Sequence, residues 1–294
     1  MTLEDLLYNR LTSDESLSAK LTTYGDKSAV FYQTAPDDTA TGWDQRNQYP
    51  RIDYIIDYIK NPERKTSGVL TMNILCSSEG TTPEEIEPIA RNLLCGVFFI
   101  PDKTPYCVAW NRSDVFNVKT GDGLIIGITV TFDVYAFPQQ ETTDPDPVLA
   151  INHFIAQTFP EMTVIGHTRN VGQSFAPTSE NPAVYWRVES LNTQRETNTV
   201  VWLDGVLRGH VFADGEETSW LRCIADPLAL NGEVTMLDDS PMFIRKLTID
   251  NTSDMLSMGQ IKLDVRFGLL RRFGSQYPMV KPYFTFKQEA HFNV

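Results

Sequence analysis

The sequence predicts an α+β protein of two structurally similar domains, each a mostly antiparallel, twisted sheet with helices packed on one of its faces. Two observations lead to this prediction. A strand-like alternation of apolar and polar residues runs from Leu124 to Phe137, and a similar alternation returns from Gln260 to Leu270. The elements that precede these two segments follow the same order, which indicates two copies of one architecture.

The alternation from Leu124 to Phe137 predicts a long strand with one buried face, because successive side chains of a strand point to opposite sides. At about 3.3 Å per residue, such a strand spans roughly 45 Å, more than a small domain needs to cover its own core. We therefore expect part of it to extend towards another subunit. The later segment repeats the pattern, with Ile261, Leu263, Val265, Phe267 and Leu269 matching Ile126, Ile128, Val130, Phe132 and Val134.

The first half of the chain alternates helix and strand signals. A helix is expected after Thr2, with a leucine stripe, and a second is expected after Thr82, where Pro83 and Glu85 complete a capping box. Between them lie a short strand, a long polar loop and a hairpin, and two short strands follow the second helix. The predicted ranges are a strand at 29–33, the loop at 34–49, hairpin strands at 51–59 and 68–76, and strands at 107–110 and 114–118.

The second half repeats this order after a helix that begins at Asp146-Pro147. The Asp204-Gly205 pair is a turn signal and is expected to separate two strands, and Pro227 is expected to end the last helix. A closing hairpin follows. The predicted ranges are a short strand at 163–167, a long polar loop at 168–181, strands at 184–188, 199–203 and 207–213, and hairpin strands at 243–250 and 258–270.

These signals divide the chain into four parts. Residues 1–137 and 148–273 form the two predicted domains, and the proline-rich, polar residues 138–147 form a linker between them. Residues 274–294 form an arm in which aromatic side chains are separated by prolines. An exposed aromatic arm would favour aggregation, so we expect it to pack on its own domain or on a neighbour.

Composition favours an ordinary globular protein that is soluble and made in the cytoplasm. The chain has 294 residues, of which 41% are hydrophobic and 21% charged, and it contains no apolar run long enough to cross a bilayer. The formal net charge of −13 would repel nucleic-acid phosphates, so sequence-independent DNA or RNA binding is not expected. An acidic wall past which DNA slides without adhering is compatible with this charge.

No motif for catalysis, a cofactor or a metal emerges, and we do not predict an enzyme. The four cysteines lack metal-ligand or redox spacing and are expected to be buried free thiols, and the four histidines are scattered. The crowded acids Glu84, Glu85 and Glu87 stand at a helix start, where negative charge stabilises the helix dipole.

Several residues are instead candidates for a protein interface. Trp43 and Arg46 lie in the first long loop, and a concentration of basic residues lies on the last hairpin, where a solvated sheet face is the simpler interpretation. A charged seam against an acidic patch of another subunit is the alternative. The full candidate set is Trp43, Arg46, Tyr135, Phe137, Arg266, Arg271, Arg272, Tyr283, Phe284 and Phe286.

The order of elements, with the segments LEDLLYNRL, YPRIDYII and TPEEIEPIARNLL and a closing long hairpin, resembles the tail terminator or tail-completion proteins of long-tailed bacteriophages. Each half is similar to one such protein. The resemblance implies a structural virion protein that forms a ring at the head-proximal end of the tail tube, ends tube polymerisation and joins the head connector or neck, while DNA passes through the lumen. It implies no membrane partner and assembly in the host cytoplasm.

The resemblance allows more than one number of chains in the ring and more than one class of protein. Family members typically have one domain and form six-fold rings, so a tandem chain gives twelve domains from six chains or six from three, and we favour a hexameric ring. The long strands and the loops 34–49 and 168–181 are expected to complete the exposed sheet of the last tube ring. The alternatives are another neck, connector or baseplate subunit, and a duplicated α+β ligand-binding protein or enzyme with a pocket between the halves.

Overall fold

The structure is a computed structural model that describes residues 1–43, 47–59, 66–120, 123–167 and 171–271. It has two large and mostly antiparallel sheets with helices beside them, so the predicted α+β class is confirmed. The charged turn expected at 61–65, between the predicted hairpin strands 51–59 and 68–76, and the arm at 274–294 lie outside the described residues.

The described residues of the first half form three helices and eight strands. The helices are α1 (Leu3–Thr12), α2 (Glu15–Ser18) and α3 (Pro83–Leu94). The strands are β1 (Thr23–Tyr24), β2 (Lys27–Ser28), β3 (Val30–Tyr32), β4 (Arg51–Asp57), β5 (Gly68–Ser77), β6 (Phe98–Phe99), β7 (Tyr106–Thr120) and β8 (Gly123–Ala136).

In the second half, the part of the chain that the structure describes forms two helices and seven strands. The helices are α4 (Pro147–Thr158) and α5 (Glu217–Asn231). The strands are β9 (Thr163–Val164), β10 (Ser174–Phe175), β11 (Ala183–Glu196), β12 (Val200–Phe212), β13 (Glu233–Thr235), β14 (Pro241–Ile249) and β15 (Ile261–Leu270).

The two large sheets share one strand order. The first sheet runs β10-β6-β7-β8-β5-β4-β3, and the second runs β13-β14-β15-β12-β11-β9. Without β10, each sheet follows the same path along its own half of the chain, and in each the first short strand lies parallel to the next while the other named pairs are antiparallel. Among the described strands, β10 alone departs from this separation, because it belongs to the second half and pairs with β6 of the first.

Helix starts follow the local capping chemistry of the sequence. The Thr2 hydroxyl accepts from the Asp5 backbone N–H at 3.2 Å, while the Asp5 carboxylate accepts from the Thr2 N–H at 2.8 Å. Asp146 accepts from the N–H groups of Val148 and Leu149 at 2.8 and 3.0 Å. These hydrogen bonds satisfy backbone N–H groups of the first turn that have no acceptor within the helix. The predicted helices therefore begin directly after their capping residues.

Each sheet buries one face against its own helices. Alternate residues of β8, from Ile128 to Val134, pack with β5 residues and with the leucines of α1. In the second half, Val184 and Trp186 of β11 pack with α4 and α5 in the same way. The period of two therefore places one side of every central strand in a helix-covered core, as the sequence predicted.

A third core joins the two sheets through their other faces. Tyr135 and Tyr185 alternate with residues of the helix-covered cores, so they point to the opposite sides of their sheets. The Phe98 ring lies 5.0 Å from Phe212 and stacks on Phe175 of β10 at 5.1 Å between ring centres. We call this set the inter-sheet core; its buried members are Phe98, Cys107, Tyr135, Phe137, Ile165, Ala183, Tyr185 and Phe212.

Two pairs of predicted strands are single strands in the structure. The segments 107–110 and 114–118 belong to β7, which continues through a bulge between Trp110 and Arg112. The predicted turn at Asp204-Gly205 was wrong, because both residues lie inside β12. A Cβ at Gly205 would lie 2.9 Å from Leu191 Cδ2, so glycine stands there because the neighbouring strand approaches closely, not because the chain turns.

The prediction that Pro227 ends the last helix was also wrong. Helix α5 runs through Pro227 to Asn231 and ends at Gly232, whose φ of 68° is the left-handed conformation that glycine adopts at helix ends. Pro227 has no N–H to donate to the Cys223 carbonyl, but Cys223 lies on the exposed side of the helix, where water can solvate that group. Leu228 is fully buried and holds the final turn on the core.

Two further expectations need correction. The loop 168–181 was expected to be polar and irregular, but Ser174 and Phe175 form a strand there because Phe175 stacks in the inter-sheet core. The cysteines were expected to be buried, and only Cys76 and Cys107 are; Cys95 and Cys223 are exposed, because they stand at a helix end and on an outer helix face. All four are free thiols.

Removal of the Phe137 ring tests the inter-sheet core. Phe137 is 2% exposed and contacts the rings of Phe98, Tyr185 and Phe212. We expect Phe137→Ala to lower the free energy of unfolding by about 3–5 kcal/mol, since a buried aromatic ring is lost and a cavity remains. Urea unfolding followed by tryptophan fluorescence measures the change. Val115→Ala, at a residue that is 67% exposed, is the control and should stay within about 0.5 kcal/mol.

Candidate functional site

Trp43, the first interface candidate, is buried within its own chain. Its ring packs edge-on against Tyr24 and Phe31, with ring centres 5.1 and 5.5 Å apart, and its indole N–H donates to the Asp37 carbonyl at 3.1 Å. These contacts tie the loop 34–43 to β1 and β3. They account for the tryptophan without a second subunit, so an intermolecular role for Trp43 stays a prediction that the packing does not favour.

Tyr135 and Phe137, two further interface candidates, are also buried within their own chain. Both lie in the inter-sheet core, and the Phe137 ring stands 5.1 Å from Tyr185, whose hydroxyl donates to the Pro138 carbonyl at 2.7 Å. The chain that leaves β8 is thus fixed to β11 at the start of the predicted linker. These two aromatic side chains join the halves of one molecule and are not exposed to a partner.

The two described arginine candidates pair with acids of the same sheet. Arg266 donates both Nε and an Nη to the Asp204 carboxylate at 2.6 and 2.9 Å, and Arg271 pairs with Glu196. The hydrogen bonds from Arg266 hold the pKa of Asp204 below its usual range. Arg46, Arg272, Tyr283, Phe284 and Phe286 lie outside the described residues.

The long hairpin of β7 and β8 presents the most open strand edge of the first sheet. On the outer side of β7, β6 pairs only with Tyr106 and Cys107, and Cys95 bridges to Val108. Within the described ranges no strand pairs with the same side of residues 112–119, which we call the β7 edge. An unpaired edge of this length is a template on which another chain can add a strand.

The register shows which backbone groups of the β7 edge point outwards. The Val108 carbonyl accepts from Gly96 on the outer side, and the bulge between Trp110 and Arg112 then shifts the alternation by one residue. The N–H and C=O groups of Ser113, Val115 and Asn117 consequently point away from β8. The intervening residues use theirs to pair with β8.

The side chains along the β7 edge include a mixture of exposed apolar and charged groups. Val115 and Val118 are exposed, as is Trp110 just before the edge, where the Arg91 guanidinium lies 5.0 Å from the indole ring. The opposed charges of Arg112 and Asp114 pair with each other at 3.0 Å. The edge therefore offers backbone pairing together with apolar side chains that gain from burial.

A second open edge lies on β11, in the other half of the molecule. Short β9 pairs only with Ala183 and Val184, and the Val188 N–H donates to the Gln140 side chain at 2.9 Å. Beyond that point, no strand of the described chain covers the outer side of residues 189–196, the β11 edge. Each sheet thus has a long hairpin with one open side, and the two open edges belong to different sheets.

A cleft of about 1240 Å³ lies where the two halves meet. Its floor is apolar, with Ile165 and Phe175 among its lining residues, while Lys103, Glu141 and His167 supply polar groups. The His167 ring stands 6.2 Å from that of His153. Across the described ranges, no group of three or more His, Cys, Asp or Glu residues is placed to hold a metal ion. No helix among these residues is long and apolar enough to cross a membrane.

The His210 ring is buried at the border of the inter-sheet core, and its pKa departs from the usual value of a histidine. Its Nε2 accepts from Arg187 Nε at 3.1 Å, which leaves Nδ1 to donate to the Met255 carbonyl at 2.7 Å. Burial disfavours the charged imidazolium and lowers the pKa of His210 to about 4, although the bond to Met255 opposes this shift. Nearby Arg187 lowers the pKa further by repulsion, so His210 is neutral at pH 7.

Neither open edge was predicted from the sequence, and a pocket between the halves was expected only under the alternative of a ligand-binding protein or enzyme. The alternation of β7 and β11 was visible only in part, because bulges change which face their residues occupy. Whether an edge is covered depends on strands far away in the sequence.

Neither a known protein-family model nor a curated protein matches this chain.

Neutral His210 predicts a loss of stability in acid. The pKa of His210 in the folded state is about 4, below the value of about 6.5 for a solvated histidine, so protonation favours unfolding. The stabilisation is complete above pH 6.5 and is lost as the pH falls towards 4. We expect the wild type to lose about 3 kcal/mol more than His210→Gln between pH 7 and pH 4. Urea unfolding of both proteins at several pH values measures this; parallel curves would contradict the prediction.

Proposed function

We propose that this protein is a structural virion component that caps the head-proximal end of a bacteriophage tail tube as a ring, ends tube polymerisation and provides the joint to the head connector. The basis is the resemblance of each half to tail terminator proteins, together with the β7 edge. A ring subunit must join neighbours through defined surfaces, and an unpaired edge is such a surface. In the described residues, the chain offers this kind of surface on both sheets.

The shared strand order supports a tandem of two tail-terminator-like copies, at 1–137 and 148–273. Both halves have the same order of elements, which is a helix, a parallel strand, a hairpin, a helix and closing strands. Two unrelated halves are not expected to share this order. We propose six chains, which would give twelve copies in two tiers or in an inner and an outer ring. Three chains with six copies would be the other closed arrangement.

Edge capping is the mechanism we propose for ending tube growth. An incoming β7 edge would pair with the exposed sheet of the last tube ring and leave no equivalent edge on its other side. The loops 34–49 and 168–181 support this contact less than the strand does, because Trp43 and Phe175 bind them to their own chain. The net charge of −13 suits a lumen through which DNA passes without adhering.

The alternatives differ in what supports them. Another neck, connector or baseplate subunit would use the same edges to form a different ring, and binding to isolated tubes separates it from a terminator. A ligand-binding protein or enzyme is favoured by one observation, the cleft between the halves, whose lining includes Lys103, Glu141 and His167. That cleft is open and partly apolar, so a small-molecule screen by thermal shift is the direct measurement for this class.

A single proline tests the β7 edge. The Val115 N–H points outwards and its side chain is largely exposed, so Val115→Pro should remove one donor from the edge while the pairing with β8 remains. We expect this variant to fold but to bind tube ends at least about tenfold more weakly than wild type, since the proline ring also blocks an approaching strand. Negative-stain counts of capped tube ends measure binding.

Val115→Thr is the matched control. Threonine keeps the branched Cβ and the backbone N–H, so it should cap tubes as wild type does. Circular dichroism and the unfolding midpoint establish that both variants are folded. Equal capping by folded Val115→Pro and Val115→Thr would show that the β7 edge does not carry the contact.

A further inference from the structure

The helix-free face of the second sheet holds a pocket of about 340 Å³ that combines arginines with aromatic rings. Arg195 and Trp202 face each other across β11 and β12, and Arg266 and Phe243 face each other across β15 and β14. The pocket opens on the side away from α4 and α5, because its residues alternate with those of the helix-covered core. Its lining is Gln194, Arg195, Trp202, Phe243, Arg245 and Arg266.

The pocket carries more positive charge than its own acids neutralise. Of its three arginines, Arg266 is held by Asp204 in a two-pronged ion pair. Arg195 and Arg245 form no ion pair with any described residue, although Arg245 lies close enough to Asp204 to help lower the pKa of that carboxyl. Unneutralised guanidinium groups in a chain of net charge −13 are a local feature that favours a carboxylate.

The aromatic residues add an apolar component to this recognition. Trp202 is half-buried although no helix covers it, and its strand partner Gly268 has no side chain to occupy the space beside the indole. Phe243 lies on the same face, two positions away from Arg245. The pocket therefore suits a carboxylate that is directly followed or preceded by an apolar side chain, and not a free inorganic anion.

One turn of the chain has this composition. The turn at residues 236–240 joins β13 to β14, and it presents Leu237, which is 59% exposed, beside exposed Asp238 and Asp239. Asp238 accepts from the N–H and hydroxyl of Ser240, whereas Asp239 has no ion pair in the described chain. Its φ of 64° holds Asp239 in the left-handed conformation at the tip of the turn.

The turn and the pocket lie on different surfaces of the molecule. Leu237 and Asp238 line a crevice with Glu141 and Leu149, beside the start of α4, whereas the pocket opens on the opposite face of the sheet. A contact between turn and pocket consequently joins two copies. Two dissimilar surfaces that bind each other make a head-to-tail contact, which forms a ring when the rotation between copies closes and an open filament when it does not.

We propose that the arginine-aromatic pocket of one copy receives Leu237 and the Asp239 carboxylate of a second copy. The carboxylate lies between Arg195 and Arg245, and the leucine covers Trp202 and Phe243. This contact deepens the proposed ring function and rests on its expectation that the chain assembles with itself. The same contact would bury the exposed Leu237 and supply a carboxylate to Arg195 and Arg245.

Charge exchange tests the contact. Arg245→Glu places an acid opposite Asp239, and Asp239→Lys places a lysine opposite Arg195 and Arg245, so each variant alone should self-associate at least about tenfold more weakly than wild type. An equimolar mixture should recover, because it offers one wild-type contact and one contact with both charges reversed. Sedimentation velocity of the full chain at several concentrations measures association.

Matched controls separate the contact from net charge. Lys262→Glu makes the same change of charge on the same sheet face but outside the pocket, and Asp226→Lys does so on the exposed side of α5. Both should associate as wild type does. Asp239→Asn keeps a residue that tolerates the left-handed conformation and should still weaken association, which excludes backbone strain as the cause.

The outcomes distinguish this contact from the proposed function. Failure of the mixture to recover, with wild-type rings that still cap tubes, overturns the contact and leaves the tube function standing. Recovery of assembly by a protein that never binds tubes supports the contact and overturns the terminator function. A wild-type protein that stays monomeric, with or without tubes, overturns both.

Discussion

The inter-sheet core determines how the two sheets lie relative to each other, and with that the position of the cleft and of the two open strand edges. Its phenylalanines and tyrosines hold the two sheets together through their helix-free faces, and strand β10 reinforces the joint by pairing with β6. Burial of several aromatic rings is worth more than the few polar contacts of the connecting segment, so the relative placement of the halves is set by apolar packing. The cleft at the junction and the separation of the two open edges both follow from this placement.

Within the described residues, the β7 and β11 edges have unpaired backbone groups with which another chain can pair. Proteins usually protect edge strands with charges, bulges or prolines, because an exposed edge pairs with other chains. The β7 edge has a bulge at its start and the Arg112–Asp114 pair, yet Val115 and Val118 stay exposed further along. This partial protection suits a surface that pairs with a selected partner and resists unspecific pairing.

Much of the fold could be predicted from the sequence, since alternation and capping are local. The strand at 123–136, the helix after Thr82 and the helix after Asp146 all lie where their patterns indicated. Errors occurred where distant residues override a local signal. Gly205 is a strand residue because Leu191 approaches it, and Pro227 stays helical because Leu228 is anchored in the core.

The candidate sites were harder to predict, because they depend on register. Two bulges in β11, one after Val188 and one after Thr193, change the parity of the strand twice and return Arg195 to the helix-free face beside Trp202. A third bulge in β14 inserts Arg245 next to the same pocket. Periodicity alone assigns Arg245 to a generally basic hairpin and does not single out Arg195, so it cannot show that both arginines lie beside an indole ring.

Charge adds a constraint on how such a chain can assemble. With a net charge of −13, two copies repel each other on average, and association therefore depends on places where the sign is reversed. Across the helix-free face, Arg208 and Lys262 already have partners in Glu189 and Asp264. Arg195 and Arg245 form no ion pair among the described residues, so a neighbouring carboxylate can pair with both of them in the arginine-aromatic pocket. Local positive charge within an acidic chain permits one specific contact and disfavours the others, which is what a closed ring requires.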